Sequence, residues 1–110
     1  MSDKIKTLSQ AIRLGATFRP QCRFTLFKNN DQGQLASCAF GAAYEALTGY
    51  TSENHETWLY PHRHPTEVVR ERFNLAPSTV YEVIERNNGT NGHAPQSREE
   101  IADWLESQGL

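Results

Sequence analysis

The side chains of this chain best able to do chemistry are its two cysteines and four histidines. Cys38 stands where an apolar, alanine-rich stretch begins. A thiol at a helix N-terminus is a candidate nucleophile, because the amide dipoles there favour the thiolate. Gln32 lies just upstream, where a glutamine can donate to an oxyanion. The pair would serve a thiol hydrolase, with His55, His62, His64 and His93 as candidate bases. Cys22, Cys38, His62 and His64 also form a set of zinc-type ligands. Neither cysteine has a partner two to four residues away, so the spacing suits no compact zinc site. No metal and no cofactor are therefore expected, and both thiols are expected to be reduced.

The segment Asp31-Gln-Gly-Gln-Leu-Ala-Ser37-Cys38-Ala-Phe40 resembles the nucleophile segment of papain-like cysteine peptidases. In that family a Gln-Gly pair precedes Ser-Cys, and the cysteine opens a buried helix. The resemblance implies Cys38 as nucleophile and Gln32 as oxyanion donor. Ala36 replaces the usual glycine and Ala39 the usual aromatic. A buried cysteine in a core helix explains the same residues without catalysis.

Residues 67–85 can be laid on a helix-turn-helix. Val68 and Val69 fall inside the first helix and Phe73-Asn74-Leu75 at the turn. Pro77-Ser78-Thr79-Val80-Tyr81 then opens a second helix with Val83 and Ile84 buried. This run resembles the recognition-helix start of many bacterial regulators, which implies Ser78, Thr79 and Tyr81 as DNA-facing groups. Arg70 stands where that motif takes a small residue, and Asn74 replaces the turn glycine. Glu82 and Glu85 outweigh Arg86 on the second helix. Phosphate contacts dominate affinity for nucleic acid, so DNA ranks behind a protein partner.

Trp58 and Tyr60 lie in a connection broken by Pro61 and Pro65, among His55, His62, Arg63 and His64. Aromatic and Arg side chains ringed by polar ones are the usual chemistry of an interface hot spot. Trp58, Tyr60, His62, Arg63 and His64 are thus the candidate contact residues for another protein or a second copy of the chain.

The elements that must position these groups are mostly helical. Thr7-x-x-Gln10 has capping-box spacing and predicts a helix over 4–15. Residues 22–28 are rich in strand formers and predict a short strand or hairpin, followed by a turn at 29–33. Leu35–Leu47 predicts a helix ended by Gly49, with small residues that let another backbone approach. Thr66 is expected to cap a helix over 67–73, and Pro77 to open one running to Asn87. Residues 88–92 read as a mobile linker. Ser97-Arg-Glu-Glu100 is a capping box, with Ile101, Trp104 and Leu105 on one face and Gly109 as the stop.

With 110 residues, 37% hydrophobic and 22% charged, the chain is long enough for one domain, taken as 1–110. Its apolar runs are far too short for a membrane span. No charged-then-apolar leader opens it, so a cytoplasmic location is expected. Residues 1–30 carry six basic groups against Asp3, whereas residues 76–110 carry two against six acids. Either the two ends neutralise each other or the basic start meets an anionic partner.

Ile-Arg-Leu-Gly-Ala at 12–16, Ser-Cys-Ala-Phe-Gly-Ala-Ala at 37–43 and Ser-Arg-Glu-Glu-Ile-Ala-Asp-Trp-Leu at 97–105 together resemble small bacterial and phage helical proteins. That resemblance carries no activity. It implies a mainly α, single-domain bundle of four to five short helices with one short strand or hairpin near 22–28. The leading functional expectation is a non-enzymatic interaction or regulatory protein. A helix-turn-helix regulator comes second and a thiol hydrolase third.

Overall fold

The computed structural model describes residues 4–51 and 64–110, which form five helices and a two-stranded hairpin. The first helix, α1 (Leu8–Ala16), starts later than expected, at the cap: Thr7 Oγ1 accepts from Gln10 N at 3.2 Å. Gln10 does not close the box on Thr7. Its side chain accepts from Lys6 N at 2.6 Å, one residue further out. Leu8, Ala11 and Ile12 form the buried stripe, with Ile5 just ahead of it.

The strand expected over 22–28 is much shorter. Only β1 (Phe27–Asn29) is extended and paired, because Phe24 takes a φ of 71° that no strand tolerates. Its partner is β2 (Leu35–Ser37), antiparallel, with Phe27 opposite Ser37 and Asn29 opposite Leu35. Asn30 Oδ1 closes the turn by accepting from Gln32 N and Gln34 N, each at 2.9 Å. The sequence predicts residues 35–37 as the start of the next helix. They are strand instead, because backbone from two other segments pairs with them.

The central helix, α2 (Ala39–Thr48), therefore opens after Cys38 and stops at Gly49. The next helix, α3 (Pro65–Arg72), is capped by His64 rather than Thr66: His64 Nδ1 accepts from Thr66 N at 3.1 Å. Pro65 occupies the first helical position, where its missing N–H costs nothing. Asn74 (φ 53°) ends α3, with Leu75 N donating to Arg70 O at 2.9 Å and Leu75 buried beyond it. The fourth helix, α4, runs Pro77–Asn88, and the fifth, α5, runs Arg98–Ser107. The capping box of α5 is present as expected, with Ser97 Oγ accepting from Glu100 N at 3.0 Å and Glu100 accepting from Ser97 N at 2.8 Å.

Four elements pack on α2: α1, α3, α4 and β2. The small residues of the sequence make this contact possible. A Cβ added at Gly15 would lie 1.9 Å from the carbonyl oxygen of Ala42, so α1 and α2 touch backbone to backbone. On the other face of α1 lies α5, where Arg13 pairs with Glu99, with Asp103 at 2.6 Å and with Glu106 at 3.1 Å. The basic start and acidic end of the chain thus lie side by side.

Between α1 and β1 the chain passes through residues 19–26 without regular structure, and side chains from the helices hold it there. Arg19 makes two 2.8 Å hydrogen bonds to the carboxylate of Glu45 on α2. Arg98, 7% exposed, donates to Ser37 Oγ at 2.8 Å and to Arg19 O at 2.7 Å. Asn87, 2% exposed, uses Oδ1 to accept from Ala39 N at 3.1 Å and from Gln21 Nε2 at 2.9 Å. Its Nδ2 donates to Cys22 O at 3.1 Å and to Asn88 Oδ1 at 3.0 Å.

Two stability outcomes follow from this frame. Asn87→Ala leaves several buried donors and acceptors unanswered, at about 1–3 kcal/mol each, and is expected to cost about 3 kcal/mol or more in a urea melt. Ser97→Ala removes only the cap of α5 and is expected to cost about 1 kcal/mol. Equal effects would mean that Asn87 is not the junction that its bonds indicate.

Candidate functional site

Among the described residues, one concavity lies where residues 24–26 face α4. It has a volume of about 340 Å³ and is lined by Phe24, Leu26, Cys38, Phe40, Val83, Ile84 and Asn87, among others. Its position follows from the frame above. Gly41 lets the 26 carbonyl approach α2, since a Cβ there would stand 2.4 Å from Leu26 O. Cys38 N donates to the same carbonyl at 3.0 Å. Asn88 Oδ1 then accepts from Phe24 N at 2.8 Å.

That last bond holds an unusual residue. Phe24 combines a left-handed backbone (φ 71°) with a ring 70% exposed at the mouth of the cavity. A bulky L-residue is rare in this conformation, and costs of order 1–3 kcal/mol persist only where neighbours over-determine the backbone. Ile84 lines the cavity from α4 and is 36% exposed, and Tyr81, one turn before it, is 65% exposed. Ile84 was expected to be buried; it faces outward because Val80, Val83 and Asn87 take the inner face of α4.

Cys38 sits in the wall of this cavity as the N-cap of α2, its Sγ accepting from Gly41 N at 3.4 Å. Helix-terminus chemistry would lower its pKa. Here burial dominates and pushes the thiol up to about 11, against a smaller lowering by the Gly41 amide. Cys22 is also raised by burial, and its Sγ donates to Thr25 O at 3.4 Å. Gln32 is exposed in the hairpin turn, and the length of β2, roughly 10 Å at about 3.3 Å per residue, separates it from Cys38. The nucleophile and its oxyanion donor are not brought together. His64 lines the same cavity as Cys38.

Trp58, Tyr60, His62 and Arg63, with His55, lie outside the described residues. Of the predicted DNA-facing groups, Ser78 and Tyr81 are exposed and Thr79 is half-buried in the first turn of α4. The turn Phe73–Leu75 shares a shallow cleft with Lys6 and Arg72, so basic groups do stand beside it. Sequence reading missed Phe24 because a positive φ leaves no mark in a single sequence. The adjacent Asn87-Asn88 pair at a helix end was the available signal. Among the described residues, the side chains that converge with metal-ligating atoms are Glu82, Glu85 and His93.

The burial of Cys38 makes stability depend on pH. An unfolded thiol ionises near 9 while the folded one holds its proton to about 11, so the native state binds the extra proton between those values. Stability is expected to fall as pH rises through that window. In thermal melts across it, Cys38→Ser, which keeps a capping oxygen, is expected to flatten the decline. At neutral pH, alkylation of Cys38 in the folded protein is expected to be slower than that of a free thiol. Compared with family models, curated proteins and solved structures, the chain matches none.

Proposed function

We propose that this protein is a small non-enzymatic interaction domain, of the bacterial or phage kind that its segments 12–16, 37–43 and 97–105 resemble. Its recognition face is the cleft between Phe24 and Ile84, and its partner there is a second copy of the chain. One observation carries the reading: a phenyl ring is displayed to solvent, in a strained backbone, beside a cavity. Strain of this kind clusters at functional sites. A knob adjacent to a hole on one face is self-complementary about a two-fold axis, so each Phe24 can fill the cavity of the other copy. Tyr81 and Ile84 extend the apolar area beside it. The raised thiol supports a binding role for the cavity over a nucleophilic one.

The expected outcomes separate this from a structural role for Phe24. Phe24→Gly relieves the left-handed strain and removes the ring. Light scattering over a concentration series is expected to show wild-type dimers and monomeric Phe24→Gly, with a Tm unchanged or raised. Ile84→Ser is expected to weaken the dimer as well. A wild-type chain that stays monomeric at high concentration, or a Phe24→Gly variant that melts as a core mutant does, overturns the proposal.

A second reading, a helix-turn-helix regulator, is favoured by the left-handed Asn74 between α3 and α4 and by Lys6 and Arg72 beside that turn. It requires retention on duplex DNA that weakens with salt and on Ser78→Ala or Thr79→Ala. Retention insensitive to these substitutions sinks it.

A further inference from the structure

The C-terminal half of α4 and the loop after it bring three ligand-type side chains to one point. Glu82 and Glu85 stand one turn apart on the same face of the helix. His93 returns to them from the following loop, its Nε2 lying 3.0 Å from Glu82 Oε2. The return is built into the backbone. Thr90 N donates to Glu85 O at 3.1 Å, Asn91 takes a φ of 55°, and His93 N donates to Thr90 O at 3.1 Å. The segment expected to be a mobile linker is instead a tight, hydrogen-bonded turn.

One ligating atom from each of the three side chains lies within 4.8 Å of the other two. Donors bound about 2.1 Å from a common tetrahedral ion stand about 3.4 Å apart. The three positions therefore need only a small closure to share one ion. We infer that Glu82, Glu85 and His93 form a site for a divalent transition-metal ion of the zinc type. One imidazole with two carboxylates suits zinc and its first-row neighbours; magnesium and calcium prefer all-oxygen sets. The three side chains are only half-buried, which leaves the remaining coordination positions to water.

The surroundings have the character of an outer shell. Arg86 Nε donates to Glu82 Oε2 at 2.9 Å, and its guanidinium lies 4.1 Å from the centre of the Trp104 ring. Asn91 Nδ2 donates to Glu85 Oε2 at 3.0 Å. Each carboxylate has lone pairs to spare for an ion beside these donors, and such bonds fix the orientation of ligating groups. On binding, the imidazole proton leaves Nε2, either to Nδ1 or to solvent, and the metal takes its place. The ion would clamp the loop whose Gln96 carbonyl accepts from Gln21 Nε2 at 2.9 Å. It would thereby stiffen the segment leading to Phe24, although the site itself stands on other residues.

The test is calorimetric titration of the full, untagged chain with zinc chloride near neutral pH, with magnesium chloride in parallel. One zinc is expected to bind per chain and to raise the Tm, with no saturable magnesium uptake. Glu85→Gln, which leaves the Glu82–His93 bond in place, is expected to weaken zinc at least as much as loss of an outer-shell partner does, roughly ten- to a hundredfold. His93→Ala is expected to do the same. A combined His55→Ala, His62→Ala, His64→Ala chain is expected to bind as wild type. No zinc uptake by the wild type overturns the inference. So does uptake that survives Glu85→Gln and His93→Ala, or that vanishes in the triple histidine variant, whatever the state of the Phe24 dimer.

Discussion

Residues 19–26 cross from α1 to β1 without a helix or sheet of their own, and side chains of α4 and α5 answer their backbone groups. Buried amides and carbonyls cost about 1–3 kcal/mol each when unanswered, against a total stability of about 5–15 kcal/mol for a domain. The answer comes from helix side chains. Asn87 spends all four of its hydrogen-bonding positions, joining α4 to the first amide of α2, to Gln21 and to Cys22. Arg98 reaches from α5 to Arg19 O, and Ser37 N donates to Pro20 O at 2.9 Å. Among the described residues, the buried side-chain atoms left without a partner, Arg23 Nε and Gln96 Oε1, lie along this seam.

What the sequence made legible is what depends on near neighbours. The Ser97–Glu100 box, Pro77 at the start of α4 and the Gly49 stop are contests among residues a few positions apart, and each stands as read. The start of α2 was not legible. Leu35, Ala36 and Ser37 have no strong preference for strand, and they become one because β1 lies alongside and Pro20–Cys22 bridges the other edge. The left-handed Phe24 was equally hidden, since the side chain that holds its amide, Asn88, lies far along the chain. His93 could not be tied to Glu82 because residues 88–92 carry the composition of a mobile linker.

Charge was readable in outline and only partly in meaning. The basic start and acidic end meet at Arg13, whose guanidinium is held charged by the side chains of Asp103 and Glu106. This uses one of the basic groups that an anionic partner would need. Arg19 and Arg98 are taken inward, Arg19 to the carboxylate of Glu45 and Arg98 to neutral oxygens, with desolvation lowering the Arg98 pKa. Of the six basic residues in 1–30, two are therefore committed to acids on other helices. That weighs against a nucleic-acid role for this face of the molecule.

The strained Phe24 and the buried network explain each other. A left-handed phenylalanine in a loop free to relax would simply relax, and its ring would fold onto the nearest apolar surface. Asn88 prevents this by holding Phe24 N, and Asn88 is itself fixed by Asn87 Nδ2 on the same oxygen. The rigidity required to display one aromatic ring is thus delivered from the C-terminal end of α4. That end is also where the chain turns back and returns His93 to Glu82. Any ligand that tightened this turn would act on the anchor of the exposed ring without touching the ring. Asn87 and Asn88, adjacent at that end, join it to the backbone of Phe24.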